Sequence, residues 1–364
     1  MSPAPGYLDL FASGELERRV EKLYGLLALC TVCPRDCGNN RLENELASCA
    51  SGLHPVVSSY TPHFGEEPAL SGTRGAGNIF FGNCNLRCVY CQNYQISQNF
   101  AAQRTNEVTV ERLAEMMLEL QARGCHNIGF VSPTHYAPQM AKAVLLSARG
   151  GLRLPIVYNT NAYDSVEVLR LLEGIVDVYL PDFKYADSGA GWLYSKVSDY
   201  AARSRAALIE MYRQKGSALV FGEDGSLASG LLVRLLVLPN NAAGVADSLA
   251  WIAETLSPRV AISLMAQYYP IHRAASNEKY AALSRSITPE EWRDALAALE
   301  SNGLENGYQQ EFETANKYYR PDFTDAETPF RDVRDFRRSA TARDLRPAGR
   351  TGERLGRLRP RPLA

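Results

Sequence analysis

Asn78-Ile-Phe-Phe81-Gly-Asn-Cys84-Asn-Leu-Arg-Cys88-Val-Tyr-Cys91 sets an apolar run directly against three cysteines with three and two residues between them. The run has the length and the β-branched and aromatic content of a buried strand, so the cysteines fall on the loop that leaves its C-terminal end. A cubane of four irons ordinarily takes four cysteine ligands, and this loop supplies three. As in catalytic zinc sites, a metal centre short of one protein ligand keeps a position open for a substrate. The competing readings are a zinc knuckle and buried unliganded thiols, and a zinc loop would ordinarily be closed by a fourth ligand.

Working outward, further strand-like runs lie at Asn127 to Val131, Pro155 to Tyr158, Val176 to Leu180, Leu231 to Val237 and Val260 to Leu264. Helical spacing separates them, in Val110 to Leu120, Val166 to Leu172, Ser198 to Tyr212 and Val245 to Leu256. Thr288-Pro-Glu-Glu291 carries an N-cap, a Pro at the first helical position and a Glu at the third, so a last helix is expected from there to near Gly303. Glu223-Asp-Gly225 reads as the turn of a small hairpin on the fifth strand. Six β-α units predict an α/β fold, a partial (β/α)6 TIM-like barrel with an N-terminal Cys-rich metal-binding segment, and such folds place chemistry on the loops after the strands. In that register Ser132, Thr134, Asn159, Asn161, Asp182, Lys184, Asn240, Asn241, Gln267 and Tyr268 face one cavity.

Composition gives four stretches: a Cys-rich segment over 1–70, a core barrel over 71–312, a closing segment over 313–330 and an Arg-rich tail over 331–364. The tail holds eleven Arg against four acidic residues, which puts about −8 on the rest of a chain whose net charge is −1. A body so charged is not expected to bind nucleic acid specifically. The tail has too little apolar content to offset its ordering entropy, and disorder is expected. The start, Met1-Ser-Pro-Ala-Pro-Gly6, has no charged or long apolar leader, and Leu26 to Cys30 is too short to span a bilayer. A cytoplasmic protein with no membrane contact is expected. Eight cysteines in such a chain favour metal binding over disulfides.

The open iron suits S-adenosylmethionine (SAM), whose amino and carboxylate groups can chelate one metal, with the carbon–sulfur cleavage supplied by the cofactor. With Tyr90 just before its last Cys, the loop resembles the radical SAM signature. Its surroundings resemble the uncharacterised, PflX-like branch of the pyruvate formate-lyase activating-enzyme-like proteins. The stretches that carry this resemblance are Cys33-Pro-Arg-Asp-Cys37, His63-Phe-Gly-Glu-Glu-Pro68, Cys91-Gln-Asn93, Ser132-Pro-Thr-His135, Asn159-Thr-Asn161, Leu180-Pro-Asp-Phe-Lys184 and Leu264-Met-Ala-Gln-Tyr268.

The resemblance implies a 4Fe-4S cluster on Cys84, Cys88 and Cys91, SAM as cosubstrate, and a 5'-deoxyadenosyl radical that abstracts hydrogen, in the oxidoreductase or lyase class. Its targets include the glycine of a partner glycyl radical enzyme, with a peptide, a small molecule or RNA as alternatives. A reductant such as flavodoxin or ferredoxin is implied as partner. Tyr90 is placed near the adenine, the Ser132 to Thr134 segment near the SAM amino group, and Asn161, Asp182 and Lys184 near its ribose and carboxylate. Two departures stand out: Ser132-Pro-Thr134 replaces the Gly-Gly-Glu of many relatives, and Arg234-Leu235 stands where this branch is expected to have Arg-His. A non-catalytic iron-sulfur or zinc protein is the remaining reading.

Cys30, Cys33, Cys37 and Cys49 form a second set, four thiols in one compact segment. Four sulfurs saturate either a zinc ion or a second iron-sulfur cluster, and the spacing fits both, with a structural role slightly favoured. Cys125 and His126 are expected at the far end of the barrel, in structural roles. His135 and His272 are expected on the active side as candidate substrate contacts, and His63 precedes the acidic pair Glu66 and Glu67.

Overall fold

A computed structural model describes residues 3–314, 321–323 and 329–330, so the Arg-rich tail and most of the closing segment lie outside the described residues. Nine strands form one mixed, parallel-rich sheet. They are β1 (Val57–His63), β2 (Ala76–Phe81), β3 (Ile128–Val131), β4 (Ile156–Thr160), β5 (Val178–Pro181), β6 (Val220–Phe221), β7 (Leu227–Leu236), β8 (Ala261–Met265) and β9 (Gly307–Gln309). The order is β1-β2-β3-β4-β5-β7-β8-β9, with β6 paired to β7. All neighbours from β2 to β9 run parallel along this path, whereas β1 and β6 are antiparallel to their partners.

The six expected strands are β2, β3, β4, β5, β7 and β8, and β6 with β7 forms the hairpin. Every residue of β2, β4, β5 and β8 is buried, which is why they read as unbroken apolar runs. Helices lie between them at Val110–Ala122, Ala137–Arg149, Val166–Leu171, Tyr200–Lys215 and Val245–Thr255. The helix Pro289–Ser301 opens on the capping box of Thr288 and Glu291. Two additional strands border the sheet. β1 alternates too weakly to be read as a strand, and β9 is three residues long, too short to carry a period.

The N-terminal segment is tied to the sheet by buried polar contacts. Asp177 accepts from the backbone N–H of Gly6 at 2.9 Å and of Ile156 at 2.8 Å, and Tyr7 donates to the carbonyl of Leu154. Where strands end on the cysteine side, the backbone turns through positive φ at Asn83, Ser132, Ala162, Asn240 and Asn241. Such conformations cost non-glycine residues energy and gather at functional edges. No helix among the described residues is long and apolar enough to cross a membrane.

Candidate active site

The C-terminal ends of the strands surround a cavity of about 460 Å³, ample for a nucleoside-sized ligand. Cys84, Cys88 and Cys91 line it, as do Tyr90, Ser132, Asn159, Asn161, Asp182, Lys184 and Gln267. Residues of both border strands, His63 in β1 and Tyr308 in β9, reach the same space.

All three thiols are free, and each sulfur has a polar partner. Asn161 Nδ2 and the Leu86 N–H point at Cys84 Sγ from 3.5 and 3.4 Å. Ser195 Oγ donates to Cys88 Sγ at 3.0 Å, and Ser97 Oγ pairs with Cys91 Sγ at 3.2 Å. The cysteine loop is also held by the end of the helix Ser188–Ser195, since Arg87 and Val89 donate their backbone N–H groups to the carbonyls of Ser195 and Tyr194. Burial, then the neighbouring Cys88, pushes the Cys84 thiol up and the Cys91 thiol up to about 12. Such thiols become thiolates when a metal displaces their protons. Among the described residues no three His, Cys, Asp or Glu side chains stand close enough together, as placed, to hold a metal ion. The fit therefore rests on three free sulfurs in one cavity, each with a hydrogen-bonding neighbour of the kind that tunes cluster thiolates.

A partly buried ion network lines the same cavity. Asp182, Arg234, Ser263 and Tyr308 stand in one row across β5, β7, β8 and β9. Arg234 donates to Asp182 Oδ1 at 2.7 Å, to Glu66 Oε2 at 3.0 Å and to Asn159 Oδ1 at 2.7 Å. Lys184 Nζ donates to Asp182 Oδ2 at 2.9 Å, and Asn78 Nδ2 to Glu66 Oε1 at 2.8 Å. Burial would raise the Asp182 carboxyl, but the charges of Arg234 and Lys184 outweigh it and hold it below the usual range. Glu67 goes the other way: burial, helped by Glu66 beside it, pushes its carboxyl up although Arg234 opposes.

The structure redistributes several expected roles. Thr134 is buried outside the cavity lining, its hydroxyl paired with Thr160 Oγ1 at 3.0 Å. Asn161 spends its amide on Asn85 Oδ1 and Cys84, so it supports the cysteine loop. Asn240 is held by Glu291 and Ala282 at the surface, and Tyr268 packs edge-on to Tyr90 with its hydroxyl on Leu283. Neither His135 nor His272 lines the cavity: His272 stacks on Tyr94, and His135 is buried against the four-cysteine segment. Cys125 and His126 sit before β3, with His126 between Arg74 and Asp224. The cysteines at 30, 33, 37 and 49 line a separate small pocket. Asn78 and Ser195 were not singled out by sequence, and Arg234 and Glu66 were noted there without a shared role; the available signal was one Arg inside the apolar run Leu231 to Val237, a residue that is buried only when paired.

Comparison with known proteins agrees with this geometry. The chain is 29% identical over 296 residues to the uncharacterised protein MJ0674 of Methanocaldococcus jannaschii, covering 80% of each. It is 28% identical over 192 residues to the uncharacterised protein MJ0808 of the same organism, covering 49% of this chain and 54% of that one. Residues 78–221, from β2 and its cysteine loop to β6, match the family model of the Radical SAM superfamily.

Proposed function

We propose that this protein is a radical SAM enzyme in which Cys84, Cys88 and Cys91 hold a 4Fe-4S cluster and SAM occupies the adjoining cavity. The observation that carries the reading is the presence of three free, hydrogen-bonded sulfurs in the lining of a cavity that is also lined by the Asp182, Lys184 and Arg234 network. Cluster and SAM together supply reductive carbon–sulfur cleavage and a 5'-deoxyadenosyl radical for hydrogen abstraction. The protein's share is placement. Tyr90 offers an aromatic edge for the adenine, and Ser132 and Asn159 offer oxygen acceptors for the methionyl ammonium. Lys184, whose charge interacts with Cys88 and Cys91, suits the carboxylate.

The part of the lining made by Arg234, Glu66, Glu67 and Ser263 suits a polar hydrogen donor. A small polar molecule or a peptide segment meets that description, and the glycine of a partner enzyme is the peptide case that the resemblance implies. The sheet is read as a partial barrel because both of its borders reach one cavity. A cytoplasmic setting with a flavodoxin- or ferredoxin-class reductant completes the proposal.

The test is anaerobic reconstitution with iron and sulfide, followed by dithionite and SAM. Release of 5'-deoxyadenosine and methionine is expected from the intact protein, and none from Cys88→Ala. A fully iron-loaded intact sample that releases neither product would overturn the reading.

A further inference from the structure

We infer that Cys30, Cys33, Cys37 and Cys49 hold a second iron-sulfur cluster, which delivers electrons to the centre at Cys84, Cys88 and Cys91. The four thiols are free and wall one pocket together with Arg35, Arg41 and His135. The chain folds back on itself to gather them: Cys30 N–H donates to the Asn39 carbonyl, Gly38 N–H to the Cys30 carbonyl, and Asp36 and Gly38 adopt positive φ. Three of the thiols are buried and Cys37 is partly exposed.

Two side chains in this pocket lack the partner that their chemistry requires. Arg41 is 1% exposed and donates to the carbonyls of Gly52 and His135, with no carboxylate paired to it among the described residues. A buried guanidinium without an anion is strongly disfavoured. Four protonated thiols provide no anion, whereas four thiolates outweigh the positive charge of a cluster core and make an anionic centre. His135 is likewise 1% exposed. Its Nε2 donates to the carbonyl of Gly82 at 3.0 Å, and its Nδ1 has no partner.

Position favours iron-sulfur over zinc. Arg35, between Cys33 and Cys37, donates to the carbonyl of Asn85 at 2.8 Å, and Asn85 Oδ1 lies 3.7 Å from Cys84 Sγ. Arg87 donates to the carbonyl of Cys84 on one side and to that of Ser48, next to Cys49, on the other. Gly82, which anchors His135, begins the turn into Cys84. Hydrogen bonds from Arg35 and Arg87 thus link the two cysteine segments through Asn85 to Arg87, a proximity that serves electron transfer and that a structural zinc does not require. When bound, the second cluster would take one electron from an external low-potential donor of the flavodoxin or ferredoxin class and pass it on to the cluster at Cys84, Cys88 and Cys91, so that the donor is oxidised by one electron, the final acceptor is reduced by one and the relay returns to its starting state. The relay rests on the radical SAM reading; the presence of the second cluster does not.

The test uses the full chain with Cys84, Cys88 and Cys91 all changed to Ala, reconstituted anaerobically. About four irons and four labile sulfides per chain are expected to remain, with a paramagnetic signal on reduction. Zinc alone, or no metal, overturns the inference. As a check against misfolding, Cys30→Ala/Cys33→Ala should lose about half the iron of the intact protein while keeping a signal that SAM perturbs; undiminished iron overturns it. That double variant should still release 5'-deoxyadenosine with dithionite and lose the release driven by a reduced flavodoxin. Equal loss with both reductants, or none with either, overturns the relay alone.

Discussion

Arg234 Nε lies 2.7 Å from Asp182 Oδ1, and the same guanidinium reaches Glu66 and Asn159. One residue of β7 therefore joins the loops after β1 and β5 to strand β4 in a partly buried setting. Arg234→Ala leaves the partly buried Glu66 without its counter-charge and Asp182 with Lys184 alone, a loss of about 1–3 kcal/mol. Arg234→Lys cannot serve three acceptors in a plane and should recover only part of it. Denaturant unfolding of the two variants checks this, and an Ala variant within about 1 kcal/mol of the intact protein would refute it.

Gly129 in β3 leaves the space that Asn78 fills. A Cβ built at position 129 overlaps Asn78 Oδ1, and Asn78 is the residue that steadies Glu66 through Nδ2 at 2.8 Å. Gly129→Ala should destabilise by about 1–3 kcal/mol, as overpacking does. The cost should be largely relieved in Gly129→Ala/Asn78→Ala, because the clashing amide is then gone. Strict additivity of the two changes in thermal unfolding would show that the clash is not the cause.

The readable and unreadable parts of this molecule divide by range. The cysteine loop and six parallel strands are local patterns, and local patterns survive in sequence. The Arg234 network joins residues 168 positions apart at Glu66 and 52 apart at Asp182, and no window along the chain holds both ends. Thr134 and Asn161 lie on the expected loops, yet neighbouring hydroxyl and amide groups claim their side chains. His135 illustrates the same limit: its position after β3 is as expected, but its ring turns toward the N-terminal cysteines, which only the fold brings near.

Asp177 makes the tether of the N-terminal segment sensitive to pH. Burial pushes its carboxyl up to about 6, although the N–H groups of Gly6 and Ile156 pull the other way. The ordinary Asp value is near 3.9, so the folded state binds the proton more tightly than the unfolded chain. Its contribution to stability is complete below about pH 4 and is lost as pH rises through about 6, a change of about 3 kcal/mol. Asp177→Asn carries no proton to lose and should show that much less fall in stability between pH 4 and pH 7. Parallel urea titrations at the two pH values decide it, and equal falls in both proteins would exclude Asp177 as the titrating group.

Ser195 bears on the chemistry from outside the cavity. Its Oγ donates to Cys88 Sγ at 3.0 Å and pairs with the hydroxyl of Tyr185 at 2.7 Å. A hydrogen bond to a cluster thiolate stabilises the reduced, more negative state and so raises the reduction potential. Ser195→Ala removes it and should shift the potential of the proposed cluster downward without loss of iron, since Cys88 itself is untouched. Electron paramagnetic resonance during a redox titration reads the shift directly. A larger loss of iron would instead mean that Ser195 holds the loop in shape, as its carbonyl does for Arg87, and an unchanged potential would mean that its hydroxyl serves only Tyr185.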